Sequence, residues 1–176
     1  MTNQNGVSSS TYERVMMGPG KVTIGSTAWA TKGGNVLEIN RTFRDIRPDG
    51  ATGKVKGFRY LENSEAIITV NLLEGVEEAI YYGLAGSALA AHTISGGDIT
   101  DGVYIPTITF AMEIKGITAT TENNLMTVTL SNCLAEGPVT FTLPDSGEVV
   151  LQLKFHAHYS ASALTTEPWS ITFTAV

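Results

Sequence analysis

The sequence lacks most of what would point to a membrane, a disulfide scaffold or an active site. No apolar run approaches the roughly 18–20 residues that a membrane-spanning helix needs. The opening stretch MTNQNGVSSSTYERV is polar, with neither a basic n-region nor an apolar h-region, so no signal peptide is expected. Cys133 is the single cysteine, which excludes a disulfide within one chain and suits a reducing compartment. No GxxxxGK pattern follows a strand, so MGPG and KGG are not phosphate loops. Ser8–Ser10 have no His/Asp framework around them. The two aspartates of GGDITDG lack calcium-loop spacing and read as a polar turn. His156 and His158 lie two apart on a strand and point the same way, yet two ligands do not make a metal site. No third can be placed from the sequence, so they read as solvent-facing histidines. Cys133 has no visible electropositive setting and reads as structural, on the same side as Thr127, Thr129 and Ser131. No enzyme activity, metal or cofactor is expected.

What is present is a globular composition of ordinary size. The chain has 176 residues, 43% of them hydrophobic, enough for one domain over 1–176 with a real core. Period-two alternation is clear in Ala66–Leu72, Thr107–Lys115, Leu125–Leu134, Glu148–Tyr159 and Pro168–Val176, with threonine recurring on the wet face. Shorter strands are expected at Lys21–Gly25 and Val139–Leu143. One segment has a helical period instead: Val76, Ile80 and Leu84 recur at helical spacing, Glu77 and Glu78 favour its positive end, and Gly83 and Gly86 offer stops. The fold class is therefore mainly β, an antiparallel sandwich or barrel with one flanking helix at about 76–85 and a long hairpin or loop in the N-terminal half. A flexible N-terminal arm is expected over about 1–13.

Charge is distributed unevenly. The formal net charge is −6, yet Lys32 to Arg59 holds seven cations against three acids, leaving a deficit of ten over the rest of the chain. Six of the eleven cations, Arg41, Arg44, Arg47, Lys54, Lys56 and Arg59, fall in NRTFRDIRPDGATGKVKGFRY. RPDGATG in its middle is turn chemistry, so the segment reads as two arms and a polar tip, with Pro48 at the second turn position. A nucleic-acid patch is disfavoured by the interspersed acids and the acidic remainder. A solvated hairpin and a docking arm for an acidic partner both remain, and the acidic body of a second copy would serve as that partner.

ATKGGNVLEINRTFRDIRPDG followed by GKVKGFRYLENSEAIITVNLLE (residues 30–50 and 53–74) resembles the N-terminal half of major tail tube proteins of long-tailed, non-contractile bacteriophages. The carrying pattern is Lys32-Gly33-Gly34, Glu38 on an alternating strand, Arg47-Pro48-Asp49-Gly50, Lys56-Gly57, and a strand running into Leu72-Leu73-Glu74. The closing strands Val149–Tyr159 and Trp169–Ala175 agree with it, and the short stretch after the last strand leads to the expectation of a form without an appended Ig-like domain. The resemblance implies a virion tail protein assembled in the host cytoplasm: six copies form a ring, rings stack into a tube, and double-stranded DNA passes down the lumen without specific binding. A tape-measure protein and a tail terminator are implied as partners, and no membrane. Carried onto this sequence, Arg41, Arg44, Arg47, Asp49, Lys54, Lys56 and Arg59 become the candidates for contact between rings or subunits, with the arm Met1–Glu13 a second candidate. The rival reading is a stand-alone β-sandwich module binding carbohydrate or a surface protein, against which Trp29 and Trp169 do not cluster.

Overall fold

The computed structural model of the chain describes residues 21–74, 77–96, 105–114, 124–140 and 145–174. Along the chain the elements are β1 (Lys21–Ile24), β2 (Thr27–Trp29), β3 (Val36–Asp45), β4 (Arg59–Leu72), α1 (Glu77–Gly83), β5 (Ser87–Ala90), β6 (Thr93–Gly96), β7 (Ile105–Ile114), β8 (Asn124–Ala135), β9 (Leu151–Ala157) and β10 (Trp169–Thr174). The arm at 1–13 and the motifs MGPG and GGDITDG lie outside the described residues, apart from Gly96. Every strand pairing among the described residues is antiparallel.

The main sheet runs β2-β1-β7-β8-β9-β4-β3, with β10 as a further neighbour of β8 and β5–β6 as a separate hairpin. It does not close, so of the two expected forms the barrel is not the one adopted by the described strands. β9 and β10 do not pair with each other. They take turns along one edge of β8: β10 covers Leu125–Leu130 and β9 covers Cys133–Ala135. β8 thus belongs to two wings, one built with β1, β2, β7 and β10, the other with β9, β4 and β3.

Asn132 is the joint between them. Its φ is 50°, a left-handed conformation that asparagine tolerates better than most residues. Its carbonyl accepts from the His158 amide at 3.2 Å, its side-chain amide donates to the His158 carbonyl at 3.2 Å, and the neighbouring Ser131 amide donates to the Pro168 carbonyl at 2.8 Å. The kink resets the pleat. Val128 and Leu130 are buried before it, Cys133 and Ala135 after it, so the core side changes from even to odd positions. Cys133 therefore sits in the core, not beside Thr127, Thr129 and Ser131 as unbroken alternation implies. Burial pushes its thiol up to about 12, as expected of an unreactive cysteine.

One core serves both wings. Val22, Ile24, Ile108, Val128 and Leu130 from one meet Ala66, Ile68, Val70, Leu72, Leu151, Leu153 and Phe155 from the other. α1 closes one side through buried Ala79 and Gly83. It ends at Gly83, short of Ala85, because the chain turns immediately into β5, with the Ser87 amide donating to the Leu84 carbonyl at 3.0 Å. Val76 lies outside the described residues. The strand expected at Val139–Leu143 is a single bridge, Thr140 to Gln152, and 141–144 are not described. The motif Lys32-Gly33-Gly34 is a turn fastened to the end of β4: the Lys32 amide donates to the Asn71 carbonyl at 3.0 Å, and Asn71 binds Gly34 and Asn35 in return.

Asn132→Val should destabilise the domain by about 2 kcal/mol, from the left-handed penalty on a β-branched residue and the lost side-chain hydrogen bond. Asn132→Gly should cost less than about 1 kcal/mol, since glycine adopts this conformation freely. Urea unfolding of the two variants reads the difference.

Candidate assembly surface

The long N-terminal hairpin is β3, β4 and residues 46–58 between them. Its root belongs to the body: Leu37 and Ile39 pack against the core opposite Ile68 and Ala66. The next pair on that face, Arg41 and Ser64, is where apolar packing stops. Both side chains turn to Glu167, in the segment leading into β10. The Ser64 hydroxyl donates to its Oε2 at 2.5 Å, the Trp169 indole donates to the same oxygen at 2.6 Å, and Arg41 Nη2 donates to Oε1 at 3.2 Å. The Arg41 guanidinium also lies over the Trp169 ring, 5.1 Å from its centre. The Ser64 hydrogen bond, chiefly, with help from Trp169 and Arg41, holds the Glu167 carboxyl below its usual range.

Beyond this clasp the two strands project as a ribbon. A register shift between Thr42 and Phe43 lets one β4 residue bulge, after which Phe43 pairs with Leu61, Arg44 with Tyr60 and Asp45 with Arg59. Asp45 neutralises two of the expected contact cations, Lys54 at 3.1 Å and Arg59 at 3.4 Å. Arg59 also covers the Phe43 ring at 4.4 Å. The tip is two turns in series. The Ala51 amide donates to the Pro48 carbonyl at 3.1 Å and the Phe58 amide to the Val55 carbonyl at 3.2 Å. Gly50 and Gly57, at φ 87° and 89°, hold the third position of each, where a side chain would be strained. Pro48 therefore opens its turn and does not occupy the second position.

The seven candidate residues thus divide by role. Arg41 is tied to the body, and Lys54 and Arg59 are tied to Asp45. Arg44, Arg47, Lys56 and Asp49 are exposed and make no ion pair among the described residues. The hydrogen bonds and ion pairs of residues 46–58 stay within the hairpin. Charge counting also missed the apolar share of this surface. Phe43, Ile46, Val55, Phe58, Tyr60 and Leu61 all stand substantially in the open, Tyr60 at 57%. The signal was available in the sequence, because six large apolar residues interleaved with cations in a segment too polar for the core have nowhere internal to go.

The histidines differ from expectation in a second way. His156 and His158 are not turned freely to solvent; they belong to an acid–base row crossing the outer sheet face. His156 Nδ1 is 2.8 Å from Glu65 on β4 and 3.8 Å from Glu136, and His158 Nε2 is 3.1 Å from the other Glu136 oxygen. His158 Nδ1 lies 3.0 Å from the His156 carbonyl and 3.3 Å from the Asn132 carbonyl, so that nitrogen carries hydrogen. Among the described residues no group of three or more His, Cys, Asp or Glu side chains could hold a metal ion.

No protein-family model matches the chain, and no curated protein matches it. Solved structures do share its fold. One is the anti-feeding prophage cap, a tube-terminating cap, at 15% identity and a TM-score of 0.52, with 88% of each chain covered. Another belongs to the PVC sheath–tube complex of an extracellular contractile injection system in its extended state, at 15% identity and a TM-score of 0.54, with 97% of this chain and 99% of that one covered. The fold is tail-tube-related. These neighbours come from phage-like injection systems, so they support that fold generally and not the non-contractile phage branch in particular.

The Glu167 clasp sets how firmly the hairpin is held. Glu167→Gln should lower stability by about 1–2 kcal/mol by weakening charge-assisted hydrogen bonds. The lowered carboxyl also fixes the sign with pH: its contribution is full above the unfolded-chain value and is lost as pH falls through the lower folded-state value. In an acid series of urea-unfolding midpoints, the wild type should therefore lose more stability than Glu167→Gln.

Proposed function

We propose that this chain is a structural tail-tube subunit whose copies form hexameric rings that stack into a tube, with the hairpin reaching from one ring to the next. The observation that carries this reading is the hairpin itself, a clasped ribbon on a tail-tube-related fold that presents to solvent large apolar side chains and the cations Arg44, Arg47 and Lys56, which make no ion pair among the described residues. A monomer gains nothing from exposing such a surface, whereas a repeating contact covers it. The outer edges of β2 and β3 end the main sheet without a partner strand among the described residues, and a neighbouring copy could complete them within a ring.

The acidic excess suits a conduit for DNA. Six copies multiply a charge of −6, and an acidic lumen repels phosphates over about 8 Å at physiological salt, so DNA slides without being held. The role is mechanical and no reaction is assigned to it. The resemblance over 30–74 favours a long non-contractile phage tail, with a tape-measure protein and a terminator as assembly partners. The solved neighbours favour a second setting for the same role, the tube or cap of a contractile machine. A carbohydrate-binding module draws some support from the exposed rings of Phe43, Phe58 and Tyr60.

Negative-stain microscopy of purified protein across a concentration series separates these readings. The tube subunit should give rings or tubes, and a strictly monomeric sample at every concentration argues for the module. Deleting Asp45–Lys56 should leave a folded domain that forms no tubes; tubes of normal length from that variant would remove the hairpin from the assembly contact.

A further inference from the structure

A groove of about 380 Å³ lies at the root of the hairpin, on the side of the Glu167 clasp. Leu61, Glu62 and Ser64 of β4 form one wall, and Tyr159, Leu164 and Glu167 from the segment between β9 and β10 contribute the other. Ser64 and Glu167 are spent on each other, which leaves Leu61, Leu164 and Tyr159 as the apolar part of a mixed lining, beside polar Asn63 and Thr165 and with the acid Glu62 at its edge. Leu164 is 72% exposed, the most exposed large apolar side chain among the described residues. Glu62 is exposed and makes no ion pair among the described residues.

We propose that this groove is the socket for the hairpin tip of a second copy of the chain. The inference rests on the tube reading and adds the receiving half of its contact. Complementarity supplies the argument. The tip offers Ile46, Val55 and Phe58 flanked by Arg44, Arg47 and Lys56, and the groove offers Leu61, Leu164 and Tyr159 flanked by Glu62. A tip cannot serve its own socket. The four residue steps from Arg41 to Asp45 carry the ribbon about 14 Å past the clasp at a strand rise of about 3.4 Å, and the bonds of 46–58 remain inside it. Plug and socket are different surfaces of one chain, so their contact is head-to-tail, and made between stacked rings it repeats along the axis as a growing stack requires.

Two exposed substitutions test this. Leu164→Arg spoils the socket and keeps the plug; Phe58→Ser spoils the plug and keeps the socket. Each should melt within a few degrees of the wild type by circular dichroism, which keeps folding out of the comparison. Neither alone should grow tubes under conditions where the wild type does, with the threshold concentration for growth rising at least tenfold. Mixed in equal amounts they should give stacked pairs of rings that do not lengthen, because one good plug meets one good socket and no further contact is possible. Tubes of wild-type length from Leu164→Arg would assign the groove to another occupant, such as a sugar or a different protein, and overturn the socket while leaving the tube reading intact. A mixture with no stacked pairs would overturn it as well. A wild type that never forms rings or tubes would remove the tube reading, and the socket with it.

Discussion

Everything else in the fold depends on a single strand changing sides. β8 is shared by both wings, and the change happens at Asn132, where a left-handed backbone is held by paired hydrogen bonds to His158 and a neighbouring one to Pro168. Without that step the core side of β8 would stay on one parity. Either Val128 and Leu130 or Cys133 and Ala135 would then face water, and the wings could not share one core. An amide side chain is well suited to the position, because it accepts the unusual φ and returns a hydrogen bond across the gap.

Much of the architecture was legible because period-two alternation is a direct print of a half-buried sheet. Ala66–Leu72, Thr107–Lys115, Leu125–Leu134 and Glu148–Tyr159 all fall in or across observed strands. The print fails where the physics is local or tertiary. The step at Asn132 leaves no mark in hydrophobicity, so Cys133 was placed on the wrong face. β2 has three residues and β5 and β6 four each, too short for a period to register. The β5–β6 turn is made by Ala91 and His92, both at positive φ, where an Asn-Gly pair would have announced a hairpin. His92 instead reaches Glu77 on α1, at 2.9 Å.

The hairpin was legible as a charged object and illegible as a chemical one. Counting found the cations but could not see that Asp45 answers two of them or that Glu167, more than a hundred residues away, answers a third. After those pairings, apolar side chains hold a large share of the exposed surface. Exposed ion pairs contribute only about 0–1 kcal/mol each, so burial of Ile46, Val55 and Phe58 is the larger resource for association, and the remaining cations serve orientation. The histidines followed the same logic: their spacing was visible, but Glu65 comes from β4 and Glu136 from just past the end of β8, and only the folded sheet sets them alongside.

The clasp and the Asp45 pairs also bear on how such a ribbon meets a partner. A loop that stiffens only on contact must surrender its conformational freedom at that moment, which weakens and slows the encounter. Here Glu167 fixes the root, cross-strand pairing fixes the shaft and two tight turns fix the end, all within one isolated subunit. The ordering cost is met during folding, so a subunit arrives pre-shaped, and growth of an assembly becomes a matter of collision and fit.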